Sequence, residues 1–412
     1  MRPEPAPRRI WGEDFEPGAI GQLDDACSLP VTVAGALMPD GHQGYGLPIG
    51  GVLATRGAVI PYAVGMDIAC RMRMSVLDWP VSALTEREEA LTEALERETR
   101  FGLGAAFAGR ERRHHRIMDE DWTFTALVAR QRDQAWAQLG SSGSGNHFAE
   151  LGVLTVWEDP GSGDDSVSLG LEPGPYLALL SHSGSRGTGA RIAQHFSQVA
   201  AKRHPDLPRN LKNLAWLDLD SEDGQAYWAA MDLMGRYASA NHELIHRHVL
   251  GRLGAEVLAA VENHHNFAWL EKHRGEQVVV HRKGATPAGR DALGVIPGSM
   301  ATPGYVVRGL GEPDSLHSAS HGAGRRMSRT EAMRRFDWTE ARAFLAERRV
   351  RLISGGLDEV PMAYKDIEAV MAAQRDLVVP LARFDPRLVK MAPAGRQKKH
   401  HKRRHSKHRK GR

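Results

Sequence analysis

Five short segments place groups able to hold metal or phosphate beside residues small enough to let a ligand approach. Met38–Gly51, MPDGHQGYGLPIGG, sets Asp40 and a histidine among glycines, and Val64–Cys70, VGMDIAC, puts Asp67 three residues before Cys70. Gly143–Glu150 (GSGNHFAE), Ser181–Gly187 (SHSGSRG) and Asn263–Asn266 (NHHN) each place a histidine beside small or amide residues. Asp67, Cys70, His147, His182 and His265 together make a mixed oxygen, sulfur and nitrogen donor set. Carboxylate suits Mn or Mg, thiolate and imidazole suit Zn, Fe or Mn, and a thiolate can bridge two ions. Taken one at a time, each has an ordinary reading: a buried cysteine is a small hydrophobe, and a histidine in a glycine turn is a cap or a surface residue. Their joint presence in Gly-rich turns is what points to metal.

A second pattern competes with this set. His242-Glu243-Leu244-Ile245-His246 spells H-E-x-x-H inside a helical stretch, the arrangement by which two histidines share a zinc ion and the glutamate serves as base. It admits a zinc-dependent hydrolase. The plainer alternative is a partly exposed helix face with His242, Arg247 and His248 solvated. Two further turns suit phosphate: Pro297–Met300 (PGSM) and His321–Arg325 (HGAGR) offer unencumbered backbone N–H groups. Arg186, Arg325 and Arg329 carry guanidinium forks that match phosphate oxygens.

The elements that position these groups alternate irregularly. Ser82–Arg100 and Thr123–Leu139 read as helices, and Tyr176–Ser181 as a strand followed by a helix from about Ala190 to Lys202. Gln225–Gly251 reads as a long helix, Gln277–His281 as a strand, and Glu331–Glu347 and Asp366–Leu377 as late helices. Ala36–Arg73 is dense in Gly and Pro with short β-prone runs at Gly50–Ala54 and Ala58–Ile60, and Gly161–Gly174 reads as a surface loop. Without regular βαβ alternation the fold class is α+β, mixed sheets flanked by helices. One domain is expected over residues 21–392, after a loosely held arm at 1–20 and before a basic, disordered tail at 393–412.

Composition supports a folded body. Of 412 residues, 42% are hydrophobic and 25% charged, near the globular average. The formal charge of +4 misleads, because Arg396–Arg412 holds ten Lys/Arg and four His without an acid, leaving 44 Lys/Arg against 50 Asp/Glu elsewhere. Two cysteines cannot make a disulfide framework, so a reducing, cytoplasmic setting is expected. The opening residues lack an apolar core and no run of 18 apolar residues occurs, so neither a secretory signal nor a membrane span is expected.

The segments MPDGHQGYGLPIGG, VGMDIAC, GSGNHF, HSGSRG, HHN, VHRKGATPA, IPGSM, ASHGAGRRMSRTEA and AYKDIEAVM, in this order from about Gln22 to Lys390, resemble the RtcB family of RNA-splicing ligases. The resemblance implies an RNA ligase joining a 3′-phosphate or 2′,3′-cyclic phosphate end to a 5′-hydroxyl end, with GTP and two Mn²⁺, in tRNA splicing or RNA repair. It makes His321 the nucleophile that carries GMP. One Mn²⁺ would take Asp67, Cys70 and His147, the other Cys70, His182 and His265. The GMP pocket would comprise Asn146, His147, Phe148, Ala149, Glu150, His265, Asn266, Pro297, Gly298, Ser299, Met300, His321, Gly322, Ala323, Gly324, Lys390, and Tyr364 stacked on guanine. Asp40 would act on the RNA end, with Arg186, Arg325 and Arg329 on RNA phosphates. The partners implied are RNA and an archease-type activator. The sequence departs from the family pattern at Arg71, where a glycine usually follows the cysteine, and at Gly304, where a hydroxyl residue is common. A non-catalytic RNA-binding relative would be expected to have lost at least one metal or nucleophile position, and none is missing.

Overall fold

A computed structural model describes residues 1–158 and 167–393. The basic tail and residues 161–166 of the expected Gly161–Gly174 loop lie outside the described residues. The fold is α+β, built on two main sheets, with two further two-stranded sheets among the described residues.

The larger sheet has eight strands. Its order is Leu293–Ile296, Gly304–Gly309, Val378–Met391, Phe148–Val156, Gly174–Ser183, Arg71–Leu77 and Val257–His264, with Arg351–Ser354 pairing in parallel along the end of Val378–Met391. Successive strand residues point to opposite faces, and here both faces are covered. Met72, Met74 and Val76 pack with Leu154, Leu180 and Phe384 on one face. Leu151, Leu177 and Leu179 meet Leu91 and Leu95 of the helix Glu88–Glu98 and Val249 of the helix Glu222–Leu253 on the other.

That last helix spans 32 residues, one turn beyond the expected start. Its ends follow from local chemistry. The Ser221 hydroxyl accepts from the Gly224 N–H, Glu222 and Asp223 favour the positive end of the helix dipole, and Gly254 in a left-handed conformation stops it. Tyr227, Met231, Met234 and Tyr237 bury against Trp122, Ile192 and Phe196 in the largest core.

The smaller sheet runs Arg8–Ile10, Thr32–Tyr45, Leu47–Thr55, Glu276–Lys283, Asn266–His273. Residues 1–20 are therefore not a loose arm. Arg8–Ile10 pairs in parallel with Gly35–Leu37, and buried Trp11 donates its indole N–H to Asp376 at 2.9 Å. The glycine-rich stretch read as turns is mostly strand, because its glycines let two long strands bulge past one another rather than break.

Other helices are shorter than expected. Ser82–Arg100 divides at Arg87 into Ala83–Glu86 and Glu88–Glu98. Glu331–Glu347 divides because the Asp337 carboxylate accepts from the N–H groups of Thr339 and Glu340, starting a new helix at Trp338. Asp366–Leu377 is helical only over Ile367–Ala372, and Gln374 instead accepts from the Ser320 N–H. Among the described residues no helix is long and apolar enough to cross a membrane.

Candidate active site

Four neighbouring antiparallel strands of the large sheet end together, and the expected donors sit at those ends. His147 immediately precedes Phe148–Val156, His182 is the penultimate residue of Gly174–Ser183, Cys70 immediately precedes Arg71–Leu77, and His265 immediately follows Val257–His264. A turn closed by the Cys70 N–H on the Asp67 carbonyl brings Asp67 alongside, with Ala69 at φ 55°. The atoms form a continuous chain. Asp67 Oδ2 lies 2.9 Å from His147 Nε2, Cys70 Sγ lies 3.4 Å from His147 Nε2 and 3.0 Å from His182 Nε2, and His182 Nε2 lies 3.2 Å from His265 Nε2.

These residues fit a metal. His182 donates its Nδ1 proton to the Asn146 carbonyl at 2.9 Å, so its Nε2 presents a lone pair to the cluster, and the buried His265 Nδ1 has no partner among the described residues. Burial holds the His182 and His265 imidazoles well below their ordinary value, so both are neutral, the form in which an imidazole can ligate. Burial, reinforced by Asp67, pushes the Cys70 thiol well above its ordinary value. A cation would displace that proton. Burial would raise the Asp67 carboxyl too, but the His147 hydrogen bond and charge carry it below its usual range. Arg71 leaves this centre undisturbed, since its guanidinium turns away to Glu262 and the Gly235 carbonyl.

His321 stands beside the cluster, its ring centroid 5.0 Å from that of His265. Asp40 Oδ2 lies 2.6 Å from His321 Nδ1 and also accepts from the backbone N–H groups of His321 and Gly322. A carboxylate can only accept, so Nδ1 carries a proton, and in the neutral ring the lone pair then lies on Nε2. Asp40 was expected at the RNA end. It is wholly buried beneath His321 and orients that ring. Gly324, at φ 74°, is required here, because a Cβ would stand 2.2 Å from the Asp40 carbonyl oxygen.

Around these groups a cleft gathers Asn146, His147, Phe148, Glu150, Asn266, Pro297, Gly298, Ser299, Met300, Gly322, Ala323, Gly324 and Tyr364. Burial raises the Glu150 carboxyl well above its usual range, and burial and Glu359 do the same to the Tyr364 hydroxyl. Two expected members are absent from the lining. Ala149 and Lys390 pair across adjacent strands, so both face away from Phe148 and Glu150. Ala149 joins the core beneath the sheet, and Lys390 Nζ donates to the carbonyls of Leu95, Glu96 and Thr99 at the end of Glu88–Glu98. Met391, one residue on, faces the cleft instead.

The arginines are also placed differently from the expectation. Arg186 is buried, its guanidinium donating to Ser141 Oγ and the Gly102 carbonyl, so it braces the loop that leads to His147. Arg325 lines the cleft but pairs with Glu359 at 2.9 Å, and half-exposed Arg329 pairs with the same carboxylate at 3.0 Å. At Gly304 a Cβ would lie 3.1 Å from the Pro297 Cα, a tight approach that a side chain there would meet only with a small shift of the Pro297 turn. The lining residues that sequence reasoning missed are His42, Ile49, Gly284, Glu359 and Met391. His42 and Ile49 lie in a segment already singled out, whereas Glu359 and Met391 carry no local signal.

The H-E-x-x-H helix does not make a metal site. His242 and His246 are buried rather than solvated. Both approach the Ser181 hydroxyl, at 2.7 and 2.8 Å, and His242 Nε2 donates to the Ser183 carbonyl at 3.1 Å. Glu243 points the other way, to His115 at 3.1 Å. The histidines brace the strand that carries His182, because positions four apart share the helix face packed on the sheet.

The fold and site define an α+β protein with a buried, mixed-donor metal-binding cleft beside a carboxylate-oriented histidine. The chain belongs to the RtcB family, the pattern of tRNA-splicing ligase RtcB matching residues 22–391. It is 33% identical over 395 residues to RNA-splicing ligase RtcB of Escherichia coli K12, which covers 91% of this chain and 95% of that protein. It is 34% identical over 433 residues to RNA-splicing ligase RtcB of Mycobacterium tuberculosis H37Rv, covering 89% and 98%. It is 30% identical over 459 residues to tRNA-splicing ligase RtcB of Nanoarchaeum equitans, covering 92% and 94%.

Proposed function

We propose that this protein is a cytoplasmic, GTP- and manganese-dependent RNA ligase that joins a 3′-phosphate or 2′,3′-cyclic phosphate end to a 5′-hydroxyl end, in tRNA splicing or RNA repair. The observation that carries the reading is the Asp40–His321 pair, which leaves an imidazole lone pair beside a five-residue metal donor set.

His321 Nε2 attacks the α-phosphorus of GTP, a P–N bond forms, and pyrophosphate leaves. Asp40 accepts from Nδ1–H throughout and stabilises the ring as it gains positive character. GMP then passes to an oxygen of the RNA 3′-phosphate as the P–N bond breaks. The 5′-hydroxyl oxygen attacks the phosphorus of the RNA 3′-phosphate and gives its proton to solvent, GMP departs, and a phosphodiester remains; a 2′,3′-cyclic phosphate end first takes up water to become the 3′-phosphate. Asp67, Cys70, His147, His182 and His265 would hold two Mn²⁺, whose charge would offset that on the reacting phosphates. The N–H groups around Gly298 and Gly322 suit phosphate oxygens, and Glu150 and Tyr364 suit the edge and face of guanine.

Incubation with Mn²⁺ and α-labelled GTP, followed by ligation of a cleaved RNA bearing a 2′,3′-cyclic phosphate, tests the reading. Covalent label that is chased by RNA is the expected result, and a protein that takes no label is not this ligase.

A further inference from the structure

A second groove opens off the cleft. It shares His42 and Arg325 with the cleft and continues over Gln43 and Tyr45 on one wall and Arg329 on the other. His42 and His321 line the same cleft, so the groove enters on the side of His321. Tyr45 sits at the turn between Thr32–Tyr45 and Leu47–Thr55 with 70% of its surface exposed.

The mount beneath this ring is held unusually firmly for a surface turn. Lys283 is buried, and its Nζ donates to the Leu47 carbonyl at 3.0 Å and to the Tyr45 carbonyl. Gln22 bonds both the N–H and the carbonyl of Gly44, and the Gln43 N–H donates to Glu16. Gly46, at φ 71°, lies so close to Asn213 that a Cβ would stand 3.1 Å from its carbonyl oxygen. Burying a lysine side chain to fix a turn is costly, yet the aromatic ring on that turn buries little. A rigid, solvated aromatic ring with few rotatable bonds is suited to stacking on a flat ligand, because little side-chain entropy is lost.

We propose that Tyr45 is a stacking platform for the terminal nucleoside of a single-stranded RNA whose end enters the cleft between His42 and Arg325. The proposal rests on the ligase reading for the identity of the strand. On the opposite wall Arg329, its side chain 45% exposed and paired with Glu359, lies against Gly145 in the loop leading to His147, and Glu16 also lines the groove. A strand stacked on Tyr45 would run its backbone past that guanidinium toward the metal donors. Base stacking accepts any sequence, since every base presents a π face.

Two oligoribonucleotides test this, one with 2-aminopurine next to a 3′-phosphate end, the other with 2-aminopurine at a 5′-hydroxyl end, each titrated with protein in the absence of GTP. Stacking quenches 2-aminopurine. Quenching by the wild type is expected in at least one arm, and the arm that responds identifies the end that uses the platform. Tyr45→Ala should lose the quenching and weaken binding about ten-fold, while Tyr45→Trp should keep both. The proposal is overturned if Tyr45→Ala binds both strands within two-fold of wild type with unchanged quenching. It is also overturned if Tyr45→Leu matches Tyr45→Trp, since apolar cover and not stacking would then be at work. Covalent GMP labelling is read separately. A wild type that takes no label, yet loses RNA affinity on Tyr45→Ala, retains the platform and removes the ligase reading.

Discussion

Asp40 Oδ2 lies 2.6 Å from His321 Nδ1, although 281 residues separate the two in sequence. The carboxylate also collects the N–H groups of His321 and Gly322, so backbone and ring are fixed by one acceptor. Asp40→Asn should keep the ring in place but lose the charge that supports it. With its amide oxygen in the Oδ2 place the asparagine accepts from the same three N–H groups, yet it carries no negative charge to stabilise the ring as it turns cationic. Covalent GMP formation should fall on the order of 10²-fold or more, and His321→Ala should abolish it. Metal content, measured by elemental analysis, should stay near wild type in both, because neither residue belongs to the donor set.

Cys70 stands at the middle of the donor chain, within reach of both His147 and His182. Cys70→Ala should lose more metal than His147→Ala or His265→Ala, since a bridging thiolate serves both ions and each imidazole serves one. Metal-to-protein ratios of the purified variants decide the matter, and equal losses would contradict a bridge.

The H-E-x-x-H helix supplies an opposed pair of outcomes. His242→Ala should destabilise by about 2–4 kcal/mol, because it opens a cavity and leaves the Ser183 carbonyl without its donor. Glu243→Ala, with its side chain 44% exposed, should change stability by less than about 0.5 kcal/mol. Denaturant unfolding reads both. A hydrolytic zinc site would reverse the ranking for activity, with Glu243 indispensable.

Glu271 gives a pH dependence. Burial opposes its ionisation, but the His273 hydrogen bond and the Arg282 charge outweigh it and draw the carboxyl down to about 2 from 4.5. The unfolded chain thus takes up this proton first as pH falls. The contribution is fully present above about pH 4.5 and is lost progressively as pH falls toward 2. Chemical denaturation across pH 5 to 2 should show Glu271→Gln with a shallower loss of stability than wild type over that window.

The groups that do chemistry were legible in the sequence because each lies in a short, unusual segment. Asp67, Cys70, His147, His182 and His265 each have an ordinary reading alone and point to metal only as a set, and the ends of four strands bring that set together. The long helix was legible from its Ala and Leu content, whereas its ends at the Ser221 cap and Gly254 lie beyond the Gln225–Gly251 read from the sequence. Facing was not. Whether Lys390 enters the cleft depends on its pairing with Ala149, and a shift of one residue in register would reverse the answer. Asp40 became an orienting group only when the turn carrying His321 closed over it. His242 and Arg186 carry polar side chains that a local reading sends to solvent, yet packing turns both inward onto Ser181, Ser183 and Gly102. The sequence by itself determined which chemistry is available and in which segments. Only the tertiary structure decided which side chains face the ligand, because strand register and helix facing are set by contacts between residues far apart in the chain.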